Sequence, residues 1–144
     1  MKKSIYLFLT LFFFLASCGK TDKTELTVDP DKTCVEILYF HGDMRCRSFV
    51  AMEKGVSELL NDEFNKETKD GKIIFKTIDI TTPEGEQIAD HYGVTWSSLY
   101  LNNWKNGKEE RNDLTRMGMK TAAKNPVAFK QEVKKYINKY LAEK

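Results

Sequence analysis

Apolar and polar residues alternate in distinct periods along this chain. From Cys34 to Phe40 it is β-branched and aromatic with only Glu36 charged, which predicts a strand. After a polar turn the period lengthens. Phe49, Met52, Val56, Leu59, Leu60 and Phe64 recur at three- and four-residue spacing, predicting a helix from Cys46 to about Asn65. Glu53, Lys54, Glu58, Asp62 and Lys66 mark its wet side, and Gly55 weakens it slightly without breaking it. Lys69, Asp70 and Gly71 form a turn, and Ile73 to Ile80 predicts a second strand, apolar enough to be buried on both faces.

Thr82, Pro83 and Glu84 start a short helix: a capping hydroxyl, proline at the first position and an acid in the first turn. It ends at Tyr92 and Gly93, with glycine where a left-handed cap is wanted. Trp96 to Trp104 predicts a third strand, Lys105 to Gly107 a hairpin turn, and Lys108 to Leu114 an antiparallel partner. Asn125 and Pro126 cap a last helix striped by Phe129, Val133, Tyr136, Ile137, Tyr140 and Leu141. Its other face is mostly lysine and glutamate, a solvated surface. The order βαβαββα predicts an α/β domain over residues 34–144, with one mixed sheet and helices on both faces.

The first residues follow another logic. Lys2 and Lys3 precede an apolar run from Ile5 to Leu15, too short for a comfortable membrane-spanning helix, which needs about 20 residues. Leu15, Ala16, Ser17 and Cys18 complete a segment that resembles the signal of bacterial lipoproteins. That resemblance implies a signal peptide over 1–17, cleavage before Cys18, and lipid on the Cys18 sulfur. An ordinary secretory signal with an incidental cysteine is the alternative. Residues 18–33 then carry the lipid and form a polar tether with a span of about 20 Å. The domain would face the periplasm or the cell exterior.

Charge narrows the partners. The chain has 23 basic and 21 acidic residues; without Lys2 and Lys3 the two counts are equal. A neutral, mixed surface argues against nucleic acid and against a polybasic membrane patch, so the lipid would hold the protein at the membrane. The chain is expected to act as a monomer. It has no phosphate-binding glycine loop, zinc spacing, paired-carboxylate motif or serine triad, and no cofactor is expected.

The candidate chemistry lies at Cys46, where the first strand and turn deliver a cysteine to the mouth of a long helix. The helix dipole favours a thiolate there, and Arg45 and Arg47 act in the same direction. His41, at the strand end, could serve as a base or orient a substrate thiol; equally it could bond the loop backbone. His91 reads as plain surface. Cys34 and Cys46 stand at opposite ends of one strand, about 20 Å apart, too far for a disulfide. Cys34 is therefore expected to be a structural or edge thiol. His41, Met44 and Cys46 are soft donors suited to Cu(I), with Met117 and Met119 a second methionine group, but no paired-cysteine metal spacing exists.

Tyr39, Phe40, His41 and the spacer to Arg45 and Cys46 resemble the strand, loop and catalytic helix start of thioredoxin-like proteins. Tyr92 to Val94 and Lys105 to Lys108 resemble that family's lead into its third strand and the hairpin after it. The resemblance covers Cys34 to about Ala142 and implies a thioredoxin-like fold and thiol–disulfide exchange with protein thiols or disulfides of the cell envelope. The sequence departs from that family twice. Phe49 stands where the family has its resolving cysteine, and Ser97 where it has a cis-proline; a trans loop is expected at Ser97. Exchange would then be of a monothiol type, with Phe49, Trp96 and Ser97 lining the approach. The second reading is a redox-inactive adaptor that binds a protein partner in the same groove. Cys46 buried under Phe49 would favour the adaptor, and an exposed sulfur would favour chemistry.

Overall fold

A computed structural model describes residues 29–144; the expected signal segment, the Cys18 lipidation site and most of the tether lie outside the described residues. The elements are β1 (Cys34–His41), α1 (Arg47–Glu63), α2 (Asn65–Lys69), β2 (Ile73–Asp79) and α3 (Pro83–Tyr92), followed by β3 (Ser98–Lys105), β4 (Lys108–Glu110), α4 (Thr115–Thr121) and α5 (Pro126–Ala142). Strand order is β2-β1-β3-β4. β1 pairs in parallel with β2 and antiparallel with β3, and β3 pairs antiparallel with β4. This is the thioredoxin-like α/β arrangement that the sequence predicts. Among the described residues, no helix is long and apolar enough to cross a membrane.

β1 is buried on both faces because successive side chains point to opposite sides of the sheet. Val35, Ile37 and Tyr39 join the large core with Met52, Val56 and Leu59 of α1 and Phe129, Val133 and Ile137 of α5. Leu38 and Phe40 face the other way, with Ile78 of β2, Ala89 of α3 and Val94. The helix signals read from the sequence operate as expected. Thr82 Oγ1 accepts from the Gly85 N–H at 3.1 Å, and Asn125 Oδ1 accepts from the Ala128 N–H at 3.1 Å. Gly93 closes α3 in the left-handed region at φ 66°.

Five expectations are corrected. β2 is an edge strand, and Lys76 and Thr77 are exposed, so it is not buried on both faces. The helix expected to about Asn65 breaks at Phe64, where φ −127° and ψ 22° separate α1 from the single turn of α2. β3 begins at Ser98, leaving Trp96 and Ser97 in a loop. The partner strand stops at Glu110; beyond it the chain follows β3 only through Asn112 and Leu114, which bond Leu101 and Leu99. The seven-residue α4 then follows, a helix absent from the sequence reading. Of the two alternatives expected for Cys34, the structural thiol holds: it opens the central strand and is buried.

Two close approaches fix the helices. A Cβ on Gly85 would stand 1.8 Å from the Asp79 carbonyl oxygen, so only glycine lets α3 start against the end of β2. A Cβ on Gly55 would stand 2.8 Å from the Phe129 ring. Gly55 thus exists for the α1–α5 contact, and its low helix propensity is offset by packing.

Glu36 is the one charged side chain among the buried residues described. Its carboxylate accepts from Lys32 at 3.0 Å, Lys76 at 2.9 Å and the Trp104 indole at 2.8 Å. Burial pushes the carboxyl up, but hydrogen bonds from Lys76 and Lys32 outweigh it and leave it below the ordinary glutamate range.

Gly55→Ala is expected to destabilise the chain by about 1–3 kcal/mol in urea unfolding, although alanine is the better helix former; a stabilised variant would contradict the close approach. Since the folded carboxyl titrates below the unfolded one, its contribution is present above the unfolded value of about 4.3 and is lost as pH falls through the folded value. Glu36→Gln should therefore cost about 1–3 kcal/mol at pH 7 and progressively less as pH falls through the folded value. A cost that does not change with pH would mean that the charge is not what matters.

Candidate functional site

The end of β1 feeds a four-residue loop, Gly42 to Arg45, and then Cys46 as N-cap of α1 with φ −72° and ψ 163°. The Cys46 carbonyl accepts from the Phe49 N–H at 3.0 Å and the Val50 N–H at 3.2 Å, which starts the helix. Its sulfur makes no capping hydrogen bond and is free and exposed. Cys34, the other cysteine among the described residues, is free but buried, and burial pushes its thiol up. With β1 rising about 3.3 Å per residue between them, the two do not meet.

Facing Cys46 is the loop before β3. Trp96 and Ser97, with Thr95 and Ile80, close a cavity of about 510 Å³ whose near wall is Met44, Arg45 and Cys46. Phe49 forms its floor: the ring is buried and meets the Trp96 ring edge-on at 6.1 Å between centroids. Phe49 therefore turns toward Trp96, and Cys46 stays exposed. Trp96 is 58 % exposed and Met44 93 % exposed, so the rim is apolar and open. Every described peptide bond is trans, including the one before Ser97.

The loop is held by polar bonds. Ser98 Oγ donates to the Trp96 carbonyl at 3.1 Å, and the Leu99 N–H donates to Thr115 Oγ1 at 3.0 Å. Asp113 in turn accepts from the Thr115 N–H at 2.8 Å. α4 thus anchors the loop opposite Cys46.

The structure brings Cys46, Arg45, Phe49, Trp96 and Ser97 to one cavity, and leaves Arg47 and His41 outside its lining. Arg47 is exposed in the first turn of α1. His41 places Nδ1 3.3 Å from the Gly42 carbonyl and stacks on Tyr39, so its ring serves the loop backbone. His41 therefore does not converge with Met44 and Cys46 on one point. Arg45 reaches along α1 to Glu53, with Nη1 2.5 Å from the carboxylate, and part of its charge is spent there. It also approaches the buried Tyr39 hydroxyl without reaching hydrogen-bond geometry. The sequence reading missed Glu53, Ile80, Thr95 and Thr115. Glu53 was the findable one: seven residues after Cys46, it lies two helical turns along the same face.

Chemically, the site offers one accessible thiol, a polar helix mouth and apolar walls. Among the described residues no second thiol lies within reach of the first.

No family model matches this chain, and no curated protein matches it. Matching solved structures include a thioredoxin from Thermus thermophilus at 21% identity and TM-score 0.48, covering 71% of this chain and 72% of that one. A thioredoxin from Fasciola hepatica matches at 16% identity and TM-score 0.47, covering 76% and 84%. Mitochondrial thioredoxin 3 from Saccharomyces cerevisiae matches at 17% identity and TM-score 0.43, covering 74% and 82%. None of these likenesses assigns an activity; the thioredoxin-like fold of this chain is read from its own strand order and pairing.

Proposed function

We propose that this chain is a membrane-anchored thioredoxin-like lipoprotein that carries out thiol–disulfide exchange through the single cysteine Cys46. The observation that carries the reading is the free, exposed Cys46 at the mouth of α1, lining a cavity with apolar walls. The exposure supports chemistry over the redox-inactive adaptor. The lipobox-like run ending at Cys18 supports the anchor, and the polar tether would let the domain reach partner proteins of the cell envelope.

The exchange runs in two balanced steps. The Cys46 thiolate attacks one sulfur of a partner's disulfide, a mixed disulfide forms, and the partner's other sulfur leaves as a thiolate. An external thiolate then attacks the mixed disulfide, takes the partner sulfur, and returns Cys46 as a thiolate. The dipole of α1 stabilises the attacking anion, with Arg45 contributing little because Glu53 holds it. Trp96, Ser97 and Met44 orient the incoming disulfide. His41 takes no step in this scheme.

With hydroxyethyl disulfide, peptide mass mapping should find one mercaptoethanol adduct on Cys46 and none on Cys34. The adduct should persist until an external thiol is added, and Cys46→Ser should abolish it. Phe49→Cys should shorten its lifetime at least tenfold, since an intramolecular thiol acts at millimolar or higher effective concentration; loss of the buried ring should also cost about 3 kcal/mol of stability. No adduct on Cys46 would sink the redox reading, and an adduct that clears without added thiol would sink the monothiol scheme.

A further inference from the structure

Trp96 has a cavity on each side. Beyond the Cys46 chamber lies a second one of about 540 Å³, walled by Val94, Tyr100 and Met119, with Trp96 as the shared partition. Of the five exposed large apolar side chains among the described residues, Met44, Trp96 and Met119 line these two chambers. Apolar surface is thus concentrated along one path that starts at the cysteine.

The charge on that path is net positive, two cations to one carboxylate. Arg116 and Lys120 stand exposed at the second chamber and make no ion pair among the described residues. The neighbouring helix α5 behaves differently: Lys130 pairs with Glu58, and Lys134 with Glu63. Asp113, on the same wall, directs one carboxylate oxygen to the Thr115 N–H and so is partly committed to holding α4.

We infer that the second chamber is a specificity subsite for the substrate polypeptide, accepting an apolar side chain with an acidic residue beside it. The inference takes its substrate class from the redox reading above. A polypeptide crossing Trp96 in extended form, at about 3.3 Å per residue, places that apolar residue a few positions from the cysteine that Cys46 attacks. The chamber is large enough for a leucine or phenylalanine side chain, and the adjacent carboxylate meets Arg116 and Lys120. The partners are therefore proteins whose reactive cysteine lies in an extended, acidic and apolar segment.

The test needs no thiol chemistry. Peptides with serine in place of cysteine, leucine three residues away and either glutamate or lysine beside the leucine are titrated by fluorescence anisotropy against the full chain carrying Cys46→Ser. The glutamate peptide should bind roughly five-fold more tightly, as two exposed ion pairs allow. The double substitution Arg116→Glu and Lys120→Glu should reverse that preference, and Met119→Trp, which fills the chamber, should abolish discrimination between leucine and glycine. Equal binding of the two peptides, or a preference that survives the double substitution, would overturn the subsite. A Cys46 inert to hydroxyethyl disulfide would defeat the redox reading separately, without touching these binding results.

Discussion

The burial of β1 on both faces is the constraint from which the rest of the structure follows. A strand with a helix-covered core on each side, hydrogen-bonded to β2 and β3, has one place and one direction. Its last residue, His41, therefore fixes where the chain leaves the sheet, and after a four-residue loop α1 follows with Cys46 as its N-cap. The orphan N–H groups of that helix and its dipole come at no extra structural cost. The position of the thiol is thus a consequence of core packing, and its exposure goes with its place as N-cap, ahead of the buried stripe of α1.

Phe49 and Trp96 connect packing to the proposed chemistry. A residue that belongs to the apolar stripe of α1 serves as the floor of the cavity, and an exposed indole divides that cavity from the next. The loop carrying the indole is held by Ser98 and, through Leu99, by Thr115 of α4. A short helix with few apolar residues can therefore set the shape of a site on the opposite side of the cleft. The scheme gains an exposed cysteine and loses any internal means of clearing a mixed disulfide.

Local patterns made the elements legible where they carry their own punctuation. Thr82, Pro83 and Gly93 bounded α3, Asn125 and Pro126 opened α5, and the apolar run of β1 stood out against polar neighbours. What stayed hidden depends on pairing between distant residues. β2 reads as buried because its residues are apolar, but its edge position is set by strand order. α4 buries only Thr115 and Gly118, so it leaves no stripe to read. Glu36 looked like the lone charge of a strand, and only the fold brings Lys32, Lys76 and Trp104 to it. Cys46 and Phe49 were visible from the sequence, and Glu53 could have been found by its helical spacing; the second chamber beyond Trp96 could not.

The central claim is that this fold turns Cys46 into a nucleophile, and one comparison tests it directly. The rate at which Cys46 attacks a neutral disulfide is measured at pH 7 in the folded chain and in the same chain unfolded by urea, with Cys34→Ser in both. The account predicts a faster reaction in the folded chain, because the helix mouth exists only there, whereas Arg47 adjoins Cys46 in both states. A folded chain that reacts no faster than the unfolded one would contradict it.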